Sequence, residues 1–400
     1  MTRLRRGAWQ LPNPNVHLGW IASCAILSLV VIVLSLVLIA LPHTCHNLPE
    51  TIWSTGPPMR QFLATVLLPS ILLLSAPAVA APASKTLQIY FLDVEGGQAT
   101  LIVSPSGQSL LIDTGWPGNK GRDADRILAA AHQAGLTQID YVLITHYHRD
   151  HVGGVPPLVD GIKVGTFLDH GPNLEDSQVT RTDYAAYEKS IVGHAHIVVT
   201  PGWTLPIKGI EVRVVAAAGD HIAEPLPGAG EANSYCKSQA VAAEDTTENA
   251  RSVGVLITYG RFRFLDLGDL TKQKELGLAC PSNLLGKVDL LLVTHHGAEL
   301  SNPKALVWAL HPQVAVFNNG ARKGASPAAW QIVHDSPGLE DLWQLHYAAQ
   351  SDKLHNVDPA HIANMKENCD GKFFNVTADA DGTFTLTNAR TGSAKTYAKK

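Results

Sequence analysis

The sequence has no long run of basic residues, the usual mark of a nucleic-acid-binding surface. Its 400 residues carry a formal net charge of −4, and only 16% of them are charged. This composition argues against tight, sequence-independent DNA binding but leaves a small phosphate ester open as a substrate. Internal repeats and low-complexity segments are also missing after residue 85, so we expect an ordinary globular domain there.

Cysteine is scarce, and none of the five cysteines has the Cys-x-x-Cys spacing of a zinc–thiolate site. Three of them, Cys236, Cys280 and Cys369, follow the N-terminal region. In an oxidising compartment these three can form one disulfide and leave one free thiol. The sequence does not determine which two are paired.

An apolar segment at residues 62–74 has the parts of a secretory signal peptide. It follows the pair Met59-Arg60 and ends in the small-residue sequence Ala78-Val79-Ala80. We therefore expect residues 59–80 to be a signal peptide that starts at Met59 and is cleaved after Ala80.

The preceding residues, 1–58, include an uncharged apolar stretch at residues 21–41 that is long enough to span a bilayer. We expect them to be either a non-biological extension or a membrane anchor. In both cases residues 81–400 leave the cytoplasm, so a periplasmic or secreted location is predicted. Membrane contact is expected only through the N-terminal segment.

The rest of the chain alternates short strands with helices. Apolar periodicity predicts a helix over residues 122–134, and a continuous apolar run predicts a strand over residues 141–145 that is buried on both faces. Alternating residues around Asp381-Gly382 predict a β-hairpin. Elements in this order indicate an α+β fold in which two sheets are sandwiched between helices, in one domain over residues 81–400.

The strongest functional signal directly follows the strand at residues 141–145. Three imidazoles and a carboxylate lie within six residues: His146, His148, Asp150 and His151. His146 and His148 are two apart, so on extended backbone they point the same way and can bind one ion. Asp150 and His151 lie past a turn and can reach a second ion. Nitrogen and oxygen ligands at this density suit Zn²⁺ or Mn²⁺.

Other strand ends carry residues of the same types. Asp269 ends a strand with a carboxylate that can bridge two ions. His295 and His296 end another strand, and we expect His295 to be a ligand and His296 to be an outer or substrate contact. Asp113 also ends a strand, from which it can orient a ligand-bearing loop from beneath.

The ordered segments LIDTG, HYHRDHVGG, LGD and THHG resemble the motifs of the metallo-β-lactamase superfamily. Residues 88–325 resemble, more specifically, the metallo-hydrolase domain of the competence-protein (ComEC-like) family. The resemblance implies a four-layer αβ/βα sandwich. The many-helix membrane channel of competence proteins has no counterpart in this sequence, so the resemblance does not imply DNA uptake.

A pair of ions at this site is expected to act through a bridging water. Two zinc ions, or manganese in their place, lower the pKa of that water and create hydroxide near neutral pH. The hydroxide attacks a carbonyl or phosphoryl centre, while Asp150 orients it as well as binding metal. No serine or cysteine nucleophile is required by this mechanism.

The superfamily's middle histidine ligand has two candidates, because His170 and His221 both stand at predicted strand ends. His170 is favoured, since the chain turns abruptly after it, but the position can also lack a histidine. His194 and His196 alternate with apolar residues and are expected to be structural.

Two segments depart from the competence-protein pattern. Residues 95–98, Glu-Gly-Gly-Gln, replace Gly-Gln-Gly-Asp, and residues 324–327, Gly-Ala-Ser-Pro, replace a turn that carries a histidine. The loss of that histidine leaves protonation of the leaving group without an assigned residue. His346 is either its replacement or an exposed structural residue.

Three functions are consistent with these residues. A bridging aspartate such as Asp269 is typical of phosphodiesterases and usually missing from true β-lactamases, so a phosphodiester or related ester is expected. The substrate would be a small molecule or part of the cell envelope. The alternatives are a lactone or lactam hydrolase, and a secreted binding protein that keeps the fold without catalysis. The sequence does not determine the oligomeric state.

Overall fold

The computed structural model describes residues 86–238 and 244–400. The predicted signal peptide at residues 59–80 and the preceding residues 1–58 lie outside these ranges. Within the ranges, none of the helices combines the length and the apolar character needed to cross a membrane.

The described residues form short strands that follow one another along the chain. They are β1 (Leu87–Phe91), β2 (Thr100–Val103), β3 (Ser109–Ile112), β4 (Gln138–Leu143), β5 (Lys163–Asp169), β6 (Ala195–Val198), β7 (Thr204–Leu205), β8 (Glu211–Ala217), β9 (Asp220–His221), β10 (Gly254–Tyr259), β11 (Phe262–Asp266), β12 (Leu290–Leu292), β13 (Val314–Phe317), β14 (Asp341–His346), β15 (Ile362–Asn364), β16 (Phe374–Ala378), β17 (Phe384–Asn388) and β18 (Ala394–Tyr397).

The α-helices are short and are supplemented by single 3₁₀ turns. The α-helices are α1 (Arg122–Gln133), α2 (Arg149–Val152), α3 (Val155–Gly161), α4 (Gln178–Ser190), α5 (Lys272–Ala279), α6 (Lys304–Leu310) and α7 (Pro327–His334). The 3₁₀-helices are Asn119–Gly121, Ser234–Ser238, Asn249–Arg251, Thr294–Gly297, Lys353–His355 and Pro359–His361.

The strands form two sheets. The first has the order β18-β17-β16-β1-β2-β3-β4-β5-β6, and the second has the order β15-β14-β13-β12-β11-β10-β8-β7, with β9 paired to β8. In the first sheet β3, β4, β5 and β6 run parallel, and in the second sheet β11 to β15 run parallel. Each parallel half therefore presents several carboxyl ends at one edge of its sheet.

Three buried apolar clusters show how the layers stack. One lies between the sheets, where the rings of Phe91 and Phe264 meet edge to face with centroids 5.6 Å apart. A second covers the outer face of the second sheet with residues such as Leu306 and Val333 from its helices. The third does the same for the first sheet, with Ile127 and Leu158. This arrangement confirms the four-layer αβ/βα sandwich.

The predicted elements agree with the observed ones to within a few residues. The helix predicted over residues 122–134 is α1, and the predicted hairpin is β16–β17. The strand predicted over residues 141–145 begins earlier, because β4 includes Gln138 and Asp140. These polar residues interrupt the apolar pattern, so the start of the strand could not be recognised from the sequence. Asp140 makes a local contact, because its Oδ2 accepts a 2.8 Å hydrogen bond from the backbone N–H of Ser109.

The three cysteines that follow the N-terminal region have separate roles. Cys236 and Cys280 form a disulfide with their Cα atoms 5.8 Å apart, and Cys369 is a free thiol. The expectation of one disulfide and one free thiol is confirmed, and the pair left open by the sequence is now assigned.

The buried carboxyl group of Glu275, on α5, makes folding stability depend on pH. Burial raises its pKa to about 8, although the backbone N–H of Asn302 donates a 2.7 Å hydrogen bond to Oε2. The folded chain therefore holds this proton more tightly than the unfolded chain. The associated stability is fully present below the ordinary pKa of 4.5 and is lost as the pH rises through about 8.

Glu275→Gln cannot ionise, so we expect it to melt above the wild type near pH 9, with a difference that shrinks towards pH 5. Thermal unfolding of both proteins across this range measures the effect. Glu224→Gln, at an exposed position, is the matched control and should show no such trend. A Glu275→Gln difference that stays constant with pH would contradict the assignment.

Candidate metal centre

Four strand ends deliver the candidate ligands to the same edge of the sandwich. Asp113 follows β3 and residues 146–151 follow β4, both in the first sheet. Asp269 follows β11, and the pair His295-His296 follows β12, both in the second sheet. The site is therefore assembled from both sheets.

Four of these residues form a compact buried group. Asp150, His151, Asp269 and His296 each offer a ligand atom, and these atoms lie within 4.8 Å of one another. His151 Nε2 is 3.3 Å from both Asp150 Oδ2 and Asp269 Oδ2. His296 Nε2 is 3.2 Å from Asp269 Oδ1 and 3.3 Å from Asp150 Oδ2. Two carboxylates and two imidazoles so placed are a suitable donor set for a divalent cation.

His146 and His148 lie beside this group. The ring of His146 is 4.1 Å from that of His151 and 4.7 Å from that of His148, between centroids. His146 Nδ1 lies 3.1 Å from Thr145 Oγ1, whereas its buried Nε2 has no hydrogen-bond partner in the described part of the chain. An unpartnered buried nitrogen is unfavourable unless it binds something else. The residues therefore fit a second cation next to the first.

Asp113 fixes the orientation of the loop that carries the ligands. Its carboxylate accepts hydrogen bonds of 2.7 Å from the backbone N–H and the hydroxyl of Thr145, and lies 2.7 Å from His151 Nδ1. The bond at Nδ1 directs Nε2 of His151 towards Asp150 and Asp269. Carboxylate–histidine pairs of this kind orient metal-binding imidazoles in many proteins.

The turn that carries His295 and His296 has an unusual backbone. Both residues have positive φ angles, 58° and 54°, which are uncommon outside glycine. The turn is held by hydrogen bonds from His295 N to Gly268 O, 2.9 Å, and from Ala325 N to His296 O, 2.8 Å. Strained backbone of this kind tends to occur at functional sites.

The structure places both of these histidines next to Asp269. His296, expected to be an outer contact, belongs to the buried four-residue group. His295, expected to be the ligand, lies outside that group, with its Nε2 3.3 Å from Asp269 Oδ2 and its Nδ1 3.1 Å from Ser301 Oγ. The consecutive left-handed residues turn both rings towards Asp269, which strand-end position alone could not reveal.

The two candidates for the middle ligand have hydrogen-bond partners of their own. The favoured one, His170, has its Nε2 3.0 Å from Glu248 Oε2 and packs against the ring of Tyr147. The alternative, His221, has Nδ1 2.7 Å from Ile222 O. The structure therefore places neither histidine in the four-residue group. Glu248, the buried partner of His170, is more than seventy residues away in the sequence.

Burial and mutual charges set the protonation of the group. Burial raises the pKa of Asp269, but His151, His295 and His296 outweigh it and hold the pKa well below its usual value. Burial also raises the pKa of Asp150, which Lys323 and His151 bring well below normal. Both carboxylates are therefore charged at neutral pH, and the group attracts cations.

The histidines respond in opposite directions. Burial, with His151 and His148 nearby, lowers the pKa of His146 well below its usual value. Burial lowers the pKa of His151 too, but Asp269, Asp150 and Asp113 outweigh it and raise that pKa well above normal. His146 thus has a free nitrogen lone pair, whereas the proton on His151 is stabilised by the surrounding negative charge.

Residues 95–98, which depart from the competence-protein pattern, lie directly beside Asp150. A Cβ on Gly97 would lie 2.3 Å from the carbonyl oxygen of Asp150, so the close approach requires glycine. Gln98 donates through Nε2 to both oxygens of Asp266, at 3.1 and 2.9 Å. Burial raises the pKa of Asp266 to about 7, and the hydrogen bonds from Gln98 act in the opposite direction by favouring the charged carboxylate.

Sequence reasoning missed three residues that contact candidate ligands. Glu175 Oε2 lies 3.2 Å from His148 Nε2 and accepts a 3.1 Å hydrogen bond from the backbone N–H of Glu248. Lys323 Nζ contacts Asp150 Oδ2. Glu175 and Glu248 lie in loops without a recognisable motif. Lys323 immediately precedes the altered segment 324–327. This position was the one feature of the sequence that could have indicated a residue near the site.

A second group of ligand-type residues consists of Asp93, Glu95, His346 and Cys369. Arg126 forms ion pairs with both of its carboxylates, with Nη1 3.0 Å from Asp93 Oδ2 and Nη2 3.4 Å from Glu95 Oε1. His346 is fully buried, and its Nε2 lies 2.7 Å from Asp93 Oδ1. His346 was expected to be exposed if its role is structural. This expectation of exposure is wrong.

A family model described as the metallo-beta-lactamase superfamily matches residues 92–232, which include β2 to β9 and the candidate ligands after β4. The chain contains a metallo-β-lactamase superfamily domain. This domain has a metal-dependent hydrolase-like fold, and the described residues add candidate metal-binding groups to it.

Two curated proteins and one solved structure illustrate the similarity. Recombination protein 2 of Haemophilus influenzae is 26% identical over 237 residues, covering 59% of this chain and 24% of the relative. Atrochrysone carboxyl ACP thioesterase of Aspergillus fumigatus is 32% identical over 139 residues, covering 32% and 28%. The metallo-beta-lactamase fold protein YhfI from Bacillus subtilis is 13% identical with a TM-score of 0.35, covering 58% and 84%.

The chain spans about a quarter of the length of the two curated relatives. The match to Recombination protein 2 is consistent with the ComEC-like resemblance of residues 88–325. It concerns one part of a longer protein, and the activity of that whole protein does not transfer to this chain.

The contacts of Asp113 predict how metal affinity depends on it. Asp113→Asn keeps the size of the side chain but replaces one of the two carboxylate oxygens with an amide nitrogen, which can only donate hydrogen bonds. The variant therefore cannot make all the contacts with Thr145 and His151 that the carboxylate makes. We expect metal affinity to fall about 10-fold to 100-fold while the fold is retained. Competition with a chromophoric chelator measures this, with Asp125→Asn on the exposed face of α1 as the matched control. Equal affinities in the two variants would contradict the orienting role.

Proposed function

We propose that this chain is an exported dinuclear-metal hydrolase that cleaves a phosphodiester or a related ester. The observation that carries the proposal is the position of Asp269. Its Oδ2 lies 3.3 Å from both His151 Nε2 and His295 Nε2, and its Oδ1 lies 3.2 Å from His296 Nε2. A carboxylate with both oxygens among ligand-type side chains is suited to bridging two cations.

The donor atoms divide into two sets around Asp269. His146, through its unpartnered Nε2, and His148 would hold one ion, and Asp150, His151 and His296 would hold the other. Two divalent ions there supply Lewis-acid activation of the ester and of a water nucleophile near neutral pH. Zinc is the expected metal for this mixture of imidazole and carboxylate, and manganese is a second option.

The chain's own residues position the reactants. Asp113 holds His151 by Nδ1, and the backbone of Gly97 supports Asp150 from below. Asp150 Oδ2 is the acceptor placed to orient a water nucleophile, in addition to its role as a ligand. Cys369 is unsuited as a nucleophile, because burial and the nearby Asp93 raise the pKa of its thiol to about 12.

The bridging position of Asp269 supports a phosphodiester over a lactam or lactone. The similarity to a protein named as a thioesterase supports ester cleavage as the wider class. A lactone or lactam hydrolase is the alternative, and a binding protein without catalysis is the third candidate.

Export is part of the same proposal. The Cys236–Cys280 disulfide supports it, because stable disulfides form in oxidising compartments and are rare in the cytosol. N-terminal sequencing of the protein recovered from the cell envelope or medium tests the expected cleavage after Ala80. A chain that still begins at residue 1 would contradict cleavage at this position.

The substrate class is tested by measuring turnover of bis-p-nitrophenyl phosphate, nitrocefin, a homoserine lactone and an acyl thioester. We expect the phosphodiester to be the preferred substrate, with activity removed by a chelator and restored by Zn²⁺ or Mn²⁺. Asp269→Ala should lose one ion and nearly all turnover, whereas Asp125→Asn should keep both.

Other outcomes separate the alternatives. Turnover of the lactam or lactone without the phosphodiester would overturn the proposed substrate and favour the first alternative. A chain that binds less than one equivalent of metal and is inert in every assay would favour the binding protein.

A further inference from the structure

Lys323 brings a positive charge directly onto the candidate metal centre. Its Nζ contacts Asp150 Oδ2, which belongs to the buried four-residue group. The Lys323 side chain is 36% exposed, whereas that of Asp150 is 9% exposed. The ammonium group therefore covers Asp150 from the solvent side. The ring of Trp116 lies 5.0 Å from Nζ and provides a favourable surface for a cation.

Neighbouring cations are already engaged in structural ion pairs. Arg122 Nε lies 2.6 Å from Asp123 Oδ1, and Arg126 Nη1 lies 3.0 Å from Asp93 Oδ2. Lys323 differs from them, because its ion pair within the described ranges is with Asp150, a candidate metal ligand. Its partner is therefore shared with whatever cation the site binds.

The backbone around Lys323 packs against two segments of the site, one beside Asp150 and the other at His296. Lys323 O accepts a 2.9 Å hydrogen bond from Gly320 N, which closes a tight turn. A Cβ on Gly96 would lie 3.0 Å from Lys323 Cβ, and one on Gly324 would lie 2.1 Å from His296 O. Glycine at these two positions allows the Lys323 turn to lie between residues 95–98, beside Asp150, and the turn that carries His296. The backbone position of the lysine is thus defined by the fold, while its ammonium group is carried on the flexible four-carbon stem common to lysines.

A divalent ion bound at Asp150 would change the surroundings of this ammonium group. It would offset the charge of the carboxylate and would repel a second positive charge a few ångströms away. The ammonium group would then lose its ion pair with Asp150, with the ring of Trp116 still beside it. A negatively charged group of a substrate is the partner that would restore an ion pair.

We propose that Lys323 recognises the negative charge of the substrate, through an ion pair with a phosphoryl oxygen of a phosphodiester at the metal centre. This inference rests on the proposed function and adds a determinant of specificity. It explains how the site distinguishes an anionic ester from a neutral one of similar size.

The test compares wild type, Lys323→Met, which keeps most of the side-chain length without the charge, and Lys323→Arg, which restores a cation. Calorimetry of the metal-loaded proteins measures the binding of inorganic phosphate. We expect Lys323→Met to bind phosphate about 10-fold to 100-fold more weakly, with both ions retained, and Lys323→Arg to recover much of the affinity. Lys366→Met, at an exposed position, is the control and should match the wild type.

Kinetics provide the second readout. For Lys323→Met, kcat/KM should fall on bis-p-nitrophenyl phosphate by a factor similar to the loss of phosphate affinity, mainly through KM. Turnover of neutral p-nitrophenyl acetate should fall by a much smaller factor. Equal phosphate affinity in wild type and Lys323→Met, or an equal loss on both substrates, would overturn the proposal.

The two proposals can fail separately. Phosphate binding that depends on Lys323, without phosphodiester turnover, would uphold the lysine and refute the phosphodiesterase function. Phosphodiester turnover that is insensitive to Lys323→Met would do the reverse. A metal-loaded wild type that neither binds phosphate nor cleaves the diester would refute both.

Discussion

The contact of Asp269 with His151 and His296 is the interaction on which the site depends. Asp269 and His296 come from the second sheet and His151 from the first, and their nitrogen–oxygen distances are 3.2 to 3.3 Å. The sheets pack through a shared apolar core, so their carboxyl ends meet along one edge. Two flexible loops could not hold this geometry, whereas two packed sheets fix it.

This arrangement concentrates charge where water is largely excluded, which is unfavourable for the fold on its own. Asp150, Asp269, His146 and His151 are all buried. Left-handed backbone at His295 and His296 adds local strain. Such costs are tolerated where the buried groups bind an ion that compensates them. The hydrogen bonds of Asp113 and the close contact of Gly97 then serve to keep the donor atoms in place.

Much of the fold and of the candidate ligand set could be predicted from the sequence, because both leave local signals. The apolar run before His146 and the dense cluster that follows identify a strand end and its candidate ligands. Contacts between distant segments left no such signal. Such contacts include the pairing of His170 with Glu248, the approach of Glu175 to His148 and the place of His296 in the buried four-residue group. They depend on how loops and turns fold back. Lys323 contacts Asp150 across 173 residues of sequence, and its position before the altered segment 324–327 was its only local signal.

The bridging role of Asp269 is tested most directly by anomalous diffraction at the zinc edge from crystals of the zinc-loaded protein. We expect two anomalous peaks in contact with Asp269, one near His146 and His148 and the other near Asp150, His151 and His296. A single peak, or two peaks of which neither contacts Asp269, would show that this carboxylate does not join two metal ions.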